Sequence, residues 1–142
     1  KGKILYSLSA LLCILNLKTH KFLISTDNHF IEQELLILVA AVSKFTGGGM
    51  LIAPNAEKEL AKFNLLSARK VSRTRALLLL KKVLSGTHLL DPNVSSKNIK
   101  KCTIDTMQNN FWSSIVYGDG ESLGKLPVTI CLGEQPLKVL VP

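Results

Sequence analysis

A leucine-rich segment with no helix-breaking residue constrains the fold more than any other feature of the chain. The segment runs from Arg69 to Ser85, and neither glycine nor proline interrupts it. Ser72 is a suitable N-cap, and Ser85 to Thr87 supply a stop. The spacing therefore predicts a helix over 69–85. Its predicted apolar stripe faces the core and consists of Leu77, Leu80, Val83 and Leu84.

The same region holds all of the excess positive charge. Between Arg69 and Lys101 there are nine basic residues and one acid, Asp91, so this window alone accounts for the net charge of +8. Charge spread only for solubility would not be confined to 33 of the 142 residues. Such a concentration favours a densely negative partner, nucleic acid or an anionic membrane, over a merely solvated basic face. No aromatic residue lies in the window, which favours duplex over single-stranded nucleic acid.

The remaining periodicities predict a mainly α, compact helical domain with short strands and a small C-terminal β-hairpin. We expect a single domain over 1–142, with a helical extension (1–45), a helical core (46–117) and a β-rich segment (118–142). The apolar run over 4–17 is too short to span a bilayer and no cleavage signal follows it, so neither a membrane span nor a signal peptide is expected there. Because the sequence does not begin with Met, it is expected to be a fragment of a longer protein. Further helices are predicted over Ile4–Leu17, Ile31–Phe45, Asn55–Phe63 and Ile104–Tyr117. Strands are predicted at Lys21–Ser25, Met50–Ile52, Val128–Leu132 and Leu137–Val141, and a loop at Asp91–Lys101.

Catalytic motifs are scarce. The three histidines are isolated, and the three cysteines match no zinc spacing. Gly47 to Gly49 is not followed by the Lys-Ser/Thr of a phosphate-binding loop, so it is interpreted as a turn. Asp119, between two glycines, has too few neighbouring ligands for calcium. These observations predict no catalytic residues, no metal, no cofactor and no enzyme activity. The widely spaced, odd number of cysteines predicts reduced thiols and an intracellular location.

The order of motifs between residues 46 and 117 resembles the BEN domain. A glycine turn leads into Met50–Pro54, then comes the helix Arg75–Leu84, then His88 to Leu90, a basic loop over Asn93–Lys101, and Ile104-Asp105. BEN domains are small, mostly helical modules that bind DNA or proteins in chromatin regulators and some viruses. The resemblance implies a nuclear protein that regulates transcription.

The sequence therefore predicts a double-stranded DNA-binding domain that uses a basic helix and a basic loop. Arginine can contact phosphate or guanine in a bidentate manner, and amides can contact base edges. A protein partner or a homodimer is a further expectation, and membrane binding is not expected. One alternative is a protein-interaction or assembly module, such as a viral structural or matrix-like domain, whose basic face contacts RNA or an anionic membrane. Another is an inactive or cofactor-poor enzyme subunit. The predicted DNA contacts are Arg69, Lys70, Arg73, Arg75, Lys81, Lys82, Lys97, Asn98, Lys100, Lys101, Gln108 and Asn109.

Overall fold

The computed structural model describes residues 14, 17–26, 29–46, 49–57, 61–107 and 114–133. Strand accounts for 50% of the structure and helix for 16%, so the predicted mainly α fold is wrong. The elements in chain order are β1 (His20–Thr26), β2 (Phe30–Ala41), β3 (Phe63–Arg69), helix α1 (Arg73–Val83), a 3-10 helix (Thr87–Leu90), β4 (Val94–Ile99), β5 (Lys101–Thr106), β6 (Ile115–Gly118), β7 (Glu121–Lys125) and β8 (Val128–Cys131).

Six of the strands form an antiparallel sheet in the order β4-β3-β2-β1-β5-β8. The long strand β2 divides its partners: its first half, Phe30 to Leu35, pairs with β1, and its second half, to Ala41, pairs with β3. The register shifts between Leu35 and Ile37, where the two halves meet. A bulge bends a strand and increases its twist, so β2 can belong to two layers at once.

The connection from β4 to β5 shows that the sheet folds back on itself. β4 lies at one edge, four positions from β5, a separation of about 19 Å in a flat sheet at about 4.8 Å per strand. Only Lys100 separates Ile99 of β4 from Lys101 of β5, and two extended residues span at most about 7 Å. The two strands can meet only if the sheet curls into a sandwich-like arrangement of two layers.

The core lies between these two layers. Phe63 from β3 and Cys102 and Ile104 from β5 form its buried centre. Packing Phe63 against β5 joins strands that are not neighbours in the sheet, which is the contact that a folded-over sheet produces. The partly buried residues packed around this centre are Phe22, Leu38, Leu65, Ile99, Leu126, Val128, Ile130 and Leu132.

Two predicted helices in the first half of the chain are wrong. Ile31–Phe45 is mainly strand β2, because its apolar run is flanked by β1 and β3, and a strand in a covered sheet can be apolar without strict alternation. The segment predicted as a helix over Asn55–Phe63 begins as a turn, and Phe63 is the first residue of β3. Of the predicted strand Met50–Ile52, only Met50 forms a bridge, to Thr46.

The polar segment after α1 was also predicted wrongly. Asp91–Lys101 is largely strand β4, whose polar side chains suit the edge position that it takes in the sheet. Of the predicted helix Ile104–Tyr117, the first residues belong to β5 and the last to β6, and residues 108–113 lie outside the described residues.

Three predicted elements are confirmed, each with an adjustment. Strand β1 includes Lys21–Ser25. Helix α1 begins after Ser72, whose Oγ accepts a hydrogen bond from the Arg75 amide. Its buried residues are Ala76, Leu79 and Val83. Of the predicted core-facing stripe, Val83 is therefore confirmed and Leu80 is half-buried, whereas Leu77 and Leu84 are exposed and were assigned to the wrong face. Strand β8 begins at Val128 but pairs with β5; the predicted hairpin partner Leu137–Val141 and most of the predicted helix Ile4–Leu17 lie outside the described residues.

Candidate functional site

The β6–β7 hairpin presents two carboxylates at an exposed turn. Gly118 of β6 pairs with Glu121 of β7, so Asp119 and Gly120 form the two-residue loop between them. Their φ angles, 50° and 89°, are both positive, as in a type I′ turn, the geometry that Asp-Gly favours. The turn geometry is thus the one expected for an Asp-Gly loop, and it leaves the Asp119 carboxylate exposed.

The turn lies next to Leu123 of β7. A Cβ at Gly118 would lie 2.5 Å from Leu123 Cδ1, so a larger residue at this position would displace the exposed end of the Leu123 side chain. The hairpin therefore holds Asp119 and Glu121, on either side of Gly120, at its exposed end. An ionised carboxylate only accepts hydrogen bonds, so this pair can take up a proton or bind a cation. Within the described residues, no group of three or more metal-ligating side chains is present.

A second feature is a basic pocket of about 360 Å³ between the start of β1 and the β3–α1 connection. Lys18 and Lys70 both line it and both are exposed. Thr19, at its wall, donates a hydrogen bond to Glu34. The chemistry of the pocket suits an anionic group, because ammonium groups donate hydrogen bonds and carry full charge. Its lining residues are Leu17, Lys18, Thr19, His20, Leu36, Lys70 and Val71.

The basic residues of the charged window do different things in the fold. Arg75 forms a salt bridge within the protein: its Nε and Nη2 each lie 3.0 Å from Asp91 Oδ2. The hydrogen bond from the Arg75 guanidinium is the main reason that the pKa of Asp91 falls from 3.8 to about 2, and the Asn93 amide adds to it. Arg69 donates to the Gln33 side-chain oxygen when that amide is oriented to satisfy both groups. Arg75 therefore joins α1 to the segment after the 3-10 helix, and Arg69 joins the end of β3 to β2.

The other predicted contact residues are distributed over several elements. Arg73, Lys81 and Lys82 lie on α1, and Lys70 lies in the basic pocket. Lys97 and Asn98 are consecutive on β4 and so face opposite sides of the sheet. Lys100 connects β4 to β5, and Lys101 begins β5. Gln108 and Asn109 lie outside the described residues.

His88 is buried and has a structural role. Its side chain is buried, and Nε2 lies 2.9 Å from the Ile52 carbonyl oxygen. Burial lowers its pKa, because an apolar surrounding disfavours the charged imidazolium. A neutral His88 therefore joins the 3-10 helix to the segment before Pro54.

Comparison with known proteins identifies the family. The family described as "YegS C-terminal NAD kinase beta sandwich-like domain" matches residues 1–141. The chain belongs to this family. The sandwich in the family description agrees with the folded-over sheet described above.

Two curated relatives are diacylglycerol kinases of Mycobacterium tuberculosis, from strains CDC 1551 / Oshkosh and H37Rv. Each is 32% identical to this chain over 96 residues, which is 68% of this chain and 29% of the relative. The chain thus spans less than a third of the length of these relatives.

Solved structures from Bacillus anthracis str. Sterne share the fold. One, provisionally described as a diacylglycerol kinase, has a TM-score of 0.67 and 22% identity, and covers 90% of this chain and 41% of its own. A second, described in the same way, has a TM-score of 0.65 and 18% identity, and covers 84% of this chain and 39% of its own.

These comparisons correct the functional predictions. The BEN resemblance is wrong, and with it the DNA-binding function, the chromatin and transcription assignment, and duplex DNA as the partner. The prediction that the protein is not an enzyme is overturned, because its curated relatives are named as kinases. The alternative of an assembly module does not stand either. No observation tests the predicted binding residues one by one, so their individual roles stay predictions.

Sequence reasoning noted Asp119 but missed the site that it belongs to. Gly118 to Gly120 was interpreted as the end of a helix, although Asp-Gly is a preferred dipeptide for the two-residue loop of a β-hairpin. In the hairpin that this dipeptide indicates, Glu121 begins the second strand, directly after the loop formed by Asp119 and Gly120.

Proposed function

We propose that the protein carrying this chain is a lipid kinase that phosphorylates diacylglycerol. The observation that carries the proposal is the 32% identity over 96 residues to the Mycobacterium tuberculosis diacylglycerol kinases. The reaction joins the free hydroxyl oxygen of diacylglycerol to the terminal phosphorus of a nucleoside triphosphate. The bond from that phosphorus to the nucleoside diphosphate breaks, and one proton leaves the hydroxyl.

The hairpin turn has the groups that such a reaction needs. Phosphoryl transfer depends on placing the two reactants, neutralising the charge of the phosphates, and accepting or orienting the hydroxyl proton. Asp119 and Glu121 are exposed carboxylates at a two-residue hairpin turn, so one of them can accept that proton. Magnesium at kinase sites is held by one or two carboxylates together with substrate phosphates. The turn offers this number of carboxylates, and the magnesium would supply charge neutralisation.

The basic pocket is compatible with the same chemistry. Lys18 and Lys70 supply two positive charges at one opening, which suits a phosphate-bearing reactant or product. The rest of the protein, which the curated relatives possess and this chain does not span, would complete the site.

A direct assay tests the proposal. The full-length protein is incubated with γ-labelled ATP, magnesium and diacylglycerol in detergent micelles, and labelled phosphatidic acid is separated by thin-layer chromatography. Parallel reactions replace diacylglycerol with NAD, because the family description includes NAD kinase. We expect label in phosphatidic acid and none in NADP. Label in NADP alone, or no transfer to either acceptor, would overturn the assignment.

A further inference from the structure

The outer face of helix α1 exposes leucines that a soluble surface does not require. Leu78 is 60% exposed and Leu84, at the C-cap, is 66% exposed. Leu77 is also exposed, while Ala76, Leu79 and Val83 already supply the buried face. The helix therefore has apolar side chains on both sides, and its packing on the sheet explains only one of them.

Positive charge is interleaved with these leucines. Lys81 follows Leu77 by four residues and Leu78 by three, and Lys82 follows Leu78 by four, so each lysine is a neighbour of an exposed leucine on the helix surface. Arg73 adds a third exposed cation at the start of the helix, and no acidic residue occurs within α1. Arg75 is excluded from this set because it is engaged by Asp91.

The apolar surface continues beyond the helix. Leu90, the last residue of the 3-10 helix, is 82% exposed. It precedes Asp91, which holds Arg75 of α1 and lines a depression together with Leu78 and Lys82. Asp91 thereby joins the end of the 3-10 helix to α1. The exposed residues Arg73, Leu77, Leu78, Lys81, Lys82, Leu84 and Leu90 are together called here the α1 outer face.

Exposed leucines next to lysines match the apolar acyl-chain region and the negatively charged head-group region of an anionic membrane surface. Apolar side chains enter the boundary between head groups and acyl chains, while lysine stems lie along them and their ammonium groups reach lipid phosphates. Each basic residue near such a surface contributes favourable electrostatic energy. An acidic protein partner would satisfy the charge but would need its own apolar groove, whereas a bilayer satisfies both features at once.

We infer that the α1 outer face docks the protein on the surface of an anionic lipid bilayer. No described helix is long and apolar enough to cross a membrane, and docking of this kind requires none. The inference goes beyond the proposed reaction, since a peripheral surface can bind a bilayer whether or not the protein phosphorylates diacylglycerol. If both hold, docking brings the enzyme to the phase that contains its substrate.

Vesicle sedimentation tests the inference on the full-length protein. One set of vesicles contains phosphatidylglycerol and phosphatidylcholine, and the other contains phosphatidylcholine alone. The test variants are Lys81→Gln with Lys82→Gln, and Leu78→Ser with Leu84→Ser. The matched charge control is Lys97→Gln with Lys101→Gln, which removes the same number of charges from exposed positions on β4 and β5. The leucine control is Leu123→Ser, an exposed leucine on β7.

We expect binding to the anionic vesicles alone. The lysine pair should weaken it about 25-fold, since about 1 kcal/mol per lysine corresponds to about fivefold each. The leucine pair should weaken it at least tenfold, and both controls should change it less than threefold. Every variant should keep the thermal midpoint of the parent, because the changed side chains are exposed; a leucine variant that unfolds is replaced by Leu90→Ser.

Three results would overturn the inference: no binding to anionic vesicles, equal losses in test and control variants, or loss of self-association in the leucine variant with vesicle binding unchanged. Activity on a short-chain diacylglycerol dispersed without vesicles separates this failure from that of the proposed function. A protein that phosphorylates the dispersed substrate but ignores vesicles refutes the docking face and leaves the kinase assignment standing.

Discussion

Replacing Asn64 by alanine should destabilise the protein by about 2–4 kcal/mol, although the side chain is small. Asn64 lies on β3 with 0% of its surface exposed. Its Nδ2 donates to Asn98 Oδ1 at 2.7 Å, and its Oδ1 accepts from Ser96 Oγ at 3.0 Å. The network extends to the turn at Asn55, whose Nδ2 donates to Ser96 Oγ and whose carbonyl accepts from Asn98 Nδ2.

The magnitude follows from these contacts. The alanine removes two hydrogen bonds worth about 1 kcal/mol each, and it takes an acceptor from Ser96 in a half-buried site, which adds a desolvation cost of about 1 kcal/mol or more. Urea denaturation of Asn64→Ala, Ser96→Ala and the double variant measures the loss and the coupling. The control is Ser67→Ala on the same strand, which should cost less than about 1 kcal/mol.

The double variant gives the sharper test. Because the two side chains are bonded directly, their losses should not add, and the coupling should reach at least about 0.5 kcal/mol. A cost for Asn64→Ala no larger than that of Ser67→Ala, or additive losses with Ser96→Ala, would refute the role given to the network.

Two further predictions concern titrating groups. Burial raises the pKa of the Cys102 thiol to about 11, whereas Cys131 is exposed; iodoacetamide at pH 8 should therefore modify Cys131 in the folded protein and Cys102 only after unfolding, as peptide mass spectrometry would show, and equal rates would contradict the burial. The pKa of Asp91 is lowered to about 2 by Arg75, so its contribution to stability is present above about pH 4 and is lost as the pH falls towards 2. Asp91→Asn should lower the thermal midpoint at pH 6 and reduce its acid dependence between pH 4 and 2, and an unchanged pH profile would exclude the salt bridge as its source.

The parts of the fold that the sequence predicted are those decided by local signals. Helix α1 was found because Ser72 caps it and no glycine or proline interrupts it, and β1 because its segment is short and apolar. The face of α1 was assigned wrongly because leucine occupies both sides of the helix; only the sheet beneath determines that Leu79 is buried and Leu78 is not.

The strands were missed where non-local pairing overrides the local pattern. β2 has an apolar run that fits helical spacing equally well, and its strand conformation depends on β1 and β3 lying on either side. β4 is polar because it is an edge strand, and polarity without context resembles a loop.

The functional error came from the charge. A net charge confined to one window is compatible with several polyanions. Residues that are close together in the sequence also need not lie on one surface of the folded protein. The fold places Lys97 on strand β4 instead of the predicted basic loop, and Arg75 of the predicted basic helix forms an internal salt bridge with Asp91. The carboxylate turn was overlooked because its partner residues were assigned to a helix end.

The central claim, that the hairpin turn serves phosphoryl transfer, is tested most directly by steady-state kinetics of carboxylate variants of the full-length protein. Asp119→Asn and Glu121→Gln keep the size of each side chain and remove its charge, and Glu32→Gln does the same at an exposed carboxylate on β2. We expect at least one turn variant to lower kcat for diacylglycerol by 100-fold or more, in the range of a lost general base, with the control within twofold. If both turn variants keep kcat within twofold of the parent at an unchanged thermal midpoint, the turn is not part of the active site.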